Sequence, residues 1–180
     1  MTKRYDGMAR TLHWIMAILI IFMMLAGMNL EDVPATERTV PLMGHSGIGM
    51  VLLILVAIRL WWRRGHPAPP YPDSMSARDQ KISKGVVHLF YALMIYQPVV
   101  GLLHAATYVD ASVQPFGLFN VTALLPSGVG VTQFFHVLHG IGFSALALLT
   151  LLHIAATLKH WLIDKDEIPH RMIPFVKAPK

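Results

Sequence analysis

The sequence predicts an all-α fold, an integral membrane bundle of four helices. Three observations carry that prediction. Four long apolar runs are separated by polar segments. Charged residues make up only 14% of the chain against 54% hydrophobic, where a soluble domain carries about 25% charged residues. Lys and Arg gather at alternate ends of the runs. A mean hydropathy of +0.52 says the same, and the 180 residues suit one domain, 1–180.

The first run covers about 12–30, between Arg10 and Glu31. It is too long for the apolar region of a signal peptide, lacks a clear cleavage site and contains His13, so it reads as a membrane span. The second, about 42–62, holds a single charge, Arg59. The stretch His66-Pro67-Ala68-Pro69-Pro70-Tyr71-Pro72 follows as an extended linker. The third run covers about 86–108 and the fourth about 134–158. Each run is near the ~20 residues that cross a bilayer core as a helix. The connection from Val109 to Gln133 is longer than a turn and is expected to lie on the membrane surface or to cover a site.

Charge sets the orientation. Lys3, Arg4 and Arg10 precede the first span. Arg63, Arg64, Arg78, Lys81 and Lys84 lie between the second and third, and Lys159, Lys165, Arg171, Lys177 and Lys180 follow the fourth. The other two loops hold Glu31, Asp32, Glu37 and Asp110, with Arg38 as the main exposed cation. The positive-inside rule then places both termini and the middle loop in the cytoplasm of a bacterial inner membrane. The net charge of +5 is thus a topology signal and a contact for anionic lipid, and no nucleic-acid partner is expected. Trp14, Trp61, Trp62 and Trp161 fall at the inner boundary, where an aromatic belt belongs. The chain has no cysteine, which excludes disulfides, cysteine-held iron–sulfur clusters and covalent c-type haem.

The histidines carry the chemistry. An ionisable side chain inside a membrane helix is costly and marks function. His139 and His153 are 14 residues apart on the fourth span. At 100° per residue that is about 40° short of four turns, so both face one way, about 21 Å apart along the axis. Topology puts His13 near the inner face and His45 near the outer face. Depth therefore pairs His13 with His153 and His45 with His139. Facing histidines at two levels suit two bis-histidine haems stacked through the bundle. Gly27, Gly44, Gly47, Gly140 and Gly142 lie at these levels and would let a porphyrin approach the backbone; the alternative is ordinary helix packing.

The remaining histidines divide by angle. His136 is about 100° around the helix from His153, so both cannot face the core. His88 and His104 are about 160° apart, so at most one faces inward, and His88 is the candidate for proton delivery or a quinone site. His160 suits a headgroup or propionate contact near the inner interface. His66 and His170 read as solvated. Arg59 either pairs a haem propionate or snorkels to the interface. A histidine-lined transition-metal transporter is the alternative of another class, but transport paths usually add intramembrane carboxylates and these spans hold none.

Several stretches resemble the bacterial cytochrome b561 family: Leu12-His13-Trp14, Gly44-His45-Ser46-Gly47, Arg59-Leu60-Trp61-Trp62-Arg63, His88-Leu89-Phe90-Tyr91, Pro98-Val99-Val100-Gly101, Leu138-His139 and Leu152-His153. The resemblance covers nearly the whole chain. It implies a four-helix bundle with two haems b, ligated by histidines on spans one, two and four; His13, His45, His139 and His153 occupy those positions. It further implies electron transfer from a periplasmic donor, a small molecule or a protein, to ubiquinone. Some members resemble superoxide oxidases, although a superoxide site should be steered by positive charge and the outer loops here are net acidic. Related di-haem proteins are membrane subunits of hydrogenases and dehydrogenases; the compact length favours a self-contained oxidoreductase.

Overall fold

The structure, a computed structural model, describes residues 4–30, 32–34, 36–73, 75–108, 112–122 and 124–173. Lys3, Glu31, Asp110, Lys177 and Lys180 of the charge pattern lie outside the described residues. Four long helices make up the fold: α1 (Gly7–Met28), α2 (Thr39–Gly65), α3 (Ala77–Ala106) and α4 (Val129–Lys159). No strand occurs among the described residues. All four are long and apolar enough to cross a membrane.

Most of these helices outrun the apolar runs, because capping rather than hydropathy ends them. Asp6 caps α1 by accepting the Ala9 N–H at 2.9 Å. Ser76 caps α3, its hydroxyl accepting the Asp79 N–H at 3.1 Å. This starts α3 about two turns before the apolar run. α4 widens beyond Lys159 into a π-helical turn, His160–Asp164, which ends on Lys165 in the left-handed conformation. Pro98 sits inside α3.

The described N-terminal and C-terminal segments and the α2–α3 linker share one end of the bundle, here the near end; the other two connections form the far end. α1 packs on α2, α2 on α3 and α3 on α4, while α4 does not pack closely on α1 or α2. Few side chains are fully buried, among them Leu12, Met16, Val56 and Leu146, as suits helices whose outer faces meet lipid.

Each end is closed by a short segment. At the far end a 3-10 turn, Pro115–Gly117, packs against α2. Phe116 adopts φ 50° there, an uncommon conformation for an aromatic residue. Its ring lies over Gly47, where a Cβ would stand 2.6 Å from it. Val113 and Val121 pack with Ala105 under the same connection. The far connection therefore covers the bundle rather than lying away from it.

At the near end the C-terminal segment lies across α1. Trp14 Nε1–H donates to the Met172 carbonyl at 3.2 Å, Tyr5 N–H to the Arg171 carbonyl at 3.3 Å, and Arg4 Nε–H to His170 Nε2 at 3.0 Å. His170, expected to be solvated, is instead buried beneath this segment. His66 is exposed and stacks on Trp62 at 3.8 Å.

Candidate cofactor site between the helices

Two histidine pairs stand at opposite ends of the bundle. His13 on α1 and His153 on α4 have ring centroids 6.3 Å apart, at 70° between planes. His45 on α2 and His139 on α4 are also 6.3 Å apart, at 77°. The 14-residue spacing on α4 thus aims both of its histidines at partners, each on a helix that α4 does not pack against closely.

The far pair lies in a cavity of about 330 Å³ whose wall is largely apolar. Gly27 of α1 lies under the His45 ring, where a Cβ would stand 3.2 Å from Cε1. Gly101 of α3 lies under His139, where a Cβ would stand 2.8 Å from Cε1. Nothing lies within 4 Å of a Cβ at Gly44 or Gly140, and a Cβ at Gly142 would collide with Gln97 and Tyr96. The glycines named from sequence therefore do different things: Gly27 seats a histidine ring, and Gly142 admits side chains of α3.

α3 supplies no member of either pair, yet it shapes both. Gln97 Nε2 donates to the His139 carbonyl at 3.1 Å and lies 3.3 Å from its ring Nε2. Gln97, Gly101 and His104 recur at i, i+4 and i+7, one face of a helix. Phe90 shares that face and meets His153 at 5.4 Å. His88 lies half a turn away from Gln97 and is exposed. Of the two histidines that the angle set apart on α3, His104 is the one lining the cavity.

His104 stands 5.4 Å from His136, 6.5 Å from His139 and 5.5 Å from Tyr108. His136 also lines the cavity, being only three residues from His139. Arg38, read from sequence as an exposed cation, is half-buried at the cavity wall; it donates to the Val33 carbonyl at 2.8 Å and to the Tyr108 hydroxyl at 3.3 Å. The sequence signal for this cluster was present: polar residues and a glycine at helical spacing on a membrane helix.

At the near end Arg59 reaches from α2 to both neighbours. Its Nε–H donates to the Tyr91 hydroxyl at 3.1 Å and its guanidinium to the Ala9 carbonyl at 3.1 Å. His160 lies farther out, its Nδ1 2.6 Å from Asp166 and 3.3 Å from Asp164.

The residues fit a flat, metal-centred group. A metal binds an imidazole nitrogen at about 2 Å, and the ring centroid lies about 1.1 Å behind it, so two rings on opposite sides of one metal stand about 6.2 Å apart. Both pairs match that separation. Nδ1 of His45 and of His139 are buried and have no hydrogen-bond partner, a costly state that bound groups relieve. Imidazole nitrogens are axial ligands of haem iron.

Residues 4–175 match the sequence model described as prokaryotic cytochrome b561. The chain belongs to that family. Among its relatives is cytochrome b561 homolog 2 of Escherichia coli (strain K12), 26% identical over 174 residues, or 95% of this chain and 92% of the relative. As a member of the prokaryotic cytochrome b561 family, it is a bacterial multi-pass membrane protein, a b-type cytochrome of electron transfer that binds haem b.

Proposed function

We propose that this cytochrome b561 carries two haems b, one held by His45 and His139 at the far end and one by His13 and His153 at the near end. The haems, so held, would supply one-electron transfer between a periplasmic donor, with superoxide a candidate, and ubiquinone. The reading places both termini in the cytoplasm, as the alternating Lys and Arg clusters predict. The observation that carries it is the repeated 6.3 Å separation of two imidazole pairs.

Haem iron, when bound, supplies one-electron chemistry at a potential set by its axial ligands and burial. The chain's residues do the rest. His45 with His139, and His13 with His153, would hold the haems, and a haem held by two imidazoles would supply electron transfer rather than oxygen binding. Gly27 and Gly101 let the His45 and His139 rings sit against the backbone of neighbouring helices. Gln97 holds His139 through its carbonyl and ring. Arg59 offers its guanidinium to a propionate at the near end. Quinone reduction needs protons as well as electrons. His88, Lys81, Lys84 and His160 are the near-end groups that could deliver them, His88 from the outward face of α3.

The test is haem counting by pyridine haemochromogen on folded, purified protein. Wild type should hold two haems per chain. His45→Ala and His139→Ala should each hold one, with the same spectrum lost in both. Loss of both haems, or of neither, would overturn the pairing. A colourless protein that loads zinc would favour the transporter reading. A catalytic subunit that co-purifies in fixed ratio would favour the reading as a membrane subunit of a hydrogenase or dehydrogenase.

A further inference from the structure

Among the described residues, two guanidiniums at the near end have no carboxylate partner. Arg59 crosses from α2 to the Ala9 carbonyl, the carbonyl that an α-helix pairs with the N–H of His13. Arg10 follows Ala9, three residues and so less than one turn before His13, only about 60° from its face. Both arginines are half-buried, and Arg10 Nε is buried with no hydrogen-bond partner. Arg59 uses only neutral acceptors, the Tyr91 hydroxyl and the Ala9 carbonyl. Asp6, one turn before Arg10, accepts through Oδ1 from the Ala9 N–H and from the Trp62 indole at 3.0 Å, and Glu167 pairs with Arg171 at 3.2 Å. Among the described residues, neither Arg10 nor Arg59 forms an ion pair.

A cation drawn out of water without a partner is expensive, and an intramembrane arginine calls for a named partner. The guanidinium fork matches a carboxylate or a phosphate bidentately. The sequence showed Arg10 only as a topology charge. The structure brings Arg59 to the carbonyl of Ala9, the residue before Arg10, and Arg10 lies within about a turn of His13.

We propose that Arg10 and Arg59 clamp the two carboxylates of the haem held by His13 and His153, one guanidinium for each. The clamp fixes which edge of that porphyrin faces the near end and raises its midpoint potential relative to a site without the two charges. The proposal rests on the reading of His13 and His153 as a haem site.

The experiment is an equilibrium redox titration, read at the α band, on full-length holoprotein in detergent, with haem counted separately. The variants are Arg10→Gln, Arg59→Gln, Arg10→Lys and Arg59→Lys, with the exposed Arg64→Gln as a control of equal charge change. Each Gln variant should shift one of the two redox waves downward, because removing a positive charge disfavours the reduced state, and should leave the other wave in place. The Lys variants should recover most of that shift, and Arg64→Gln should move neither wave. If a Gln variant loses haem, loss of one haem with retention in the matching Lys variant supports the clamp.

Full haem content with both waves unmoved would overturn it and leave Arg10 and Arg59 as snorkelling side chains. Equal shifts in both waves, or an equal effect from Arg64→Gln, would reduce it to a long-range field. A wild type with fewer than two haems, or two haems that both survive His13→Ala, would instead sink the haem-site reading, apart from any result on the arginines.

Discussion

A methyl group at Gly101 would stand 2.8 Å from Cε1 and 3.2 Å from Nδ1 of His139. Gln97, one turn earlier on the same face of α3, also holds the residue at its ring and its carbonyl. Gly101→Ala should therefore displace the imidazole and cost the far haem, or broaden its α band, while leaving the near haem intact. Gly44→Ala, next to His45 in sequence but with nothing within 4 Å, should keep both haems. Difference spectra of the two variants check this, and equal behaviour would remove the steric argument. The contrast also marks what the sequence could reveal. The 14-residue spacing placed His139 and His153 on one face because that relation is internal to one helix. Which glycine lies beneath His139 depends on how α3 and α4 pack, so the sequence reading named Gly140 among the glycines at that level and not Gly101. His104 was hidden in the same way: the angle told that His88 and His104 oppose each other, but not which one faces the cavity. Arg10 escaped for a different reason. A basic residue before a first span satisfies the topology rule so fully that no second role is asked of it.

Element boundaries depend on caps, and the α1 cap carries more than its helix. The Asp6 carboxylate accepts from the Ala9 N–H and from the Trp62 indole N–H, so one side chain ends α1 and ties it to the last turns of α2. Partial desolvation pushes its pKa up, but the two hydrogen bonds outweigh this and hold it below the ordinary 3.8. With the folded pKa depressed, the carboxylate's contribution is fully present above the unfolded value. It is lost as pH falls through the folded one. Asp6→Ala should lower stability by about 1 kcal/mol, the usual cost of a lost N-cap. The deficit should be constant from neutral pH down to about pH 5 and shrink below pH 4 as wild type loses the same interaction. Denaturant midpoints at several pH values would show it; a deficit that grows in acid would contradict the cap. The four helices themselves were legible because apolar runs of membrane length admit few other structures. Their ends were less so. Ser76 and Asp79 form a cap in a charged segment that hydropathy reads as loop, and the buried tail residues His170 and Arg171 sit in a segment with no apolar periodicity at all.

At the scale of the molecule, the bundle is closed on three sides and open on the fourth. α1 packs on α2, α2 on α3 and α3 on α4, but α4 has little direct packing on α1 or α2. The His13–His153 pair crosses that open side, and the His45–His139 pair spans the diagonal from α2 to α4. Within a membrane no hydrophobic effect pulls the helices together, so a group bound between the pairs would supply much of the cross-bundle connection. This makes the energetics of the four histidines predictable as a set. If His45 and His139 serve one shared group, replacing either removes its full contribution, and replacing the second adds little. The double variant His45→Ala/His139→Ala should then be no less stable than the worse single variant, a coupling nearly as large as the single effect. His13→Ala and His153→Ala should behave alike. Crossed doubles such as His45→Ala/His13→Ala should come close to additive, because the two levels are about 21 Å apart along α4 and distant sites add. Thermal midpoints of the holoproteins in one detergent suffice for the four cycles. Strong coupling in the crossed pairs, with additivity within each level, would mean that the helices close on one another through contacts the histidines do not share. The two-level arrangement would then not be what holds α4 against the rest.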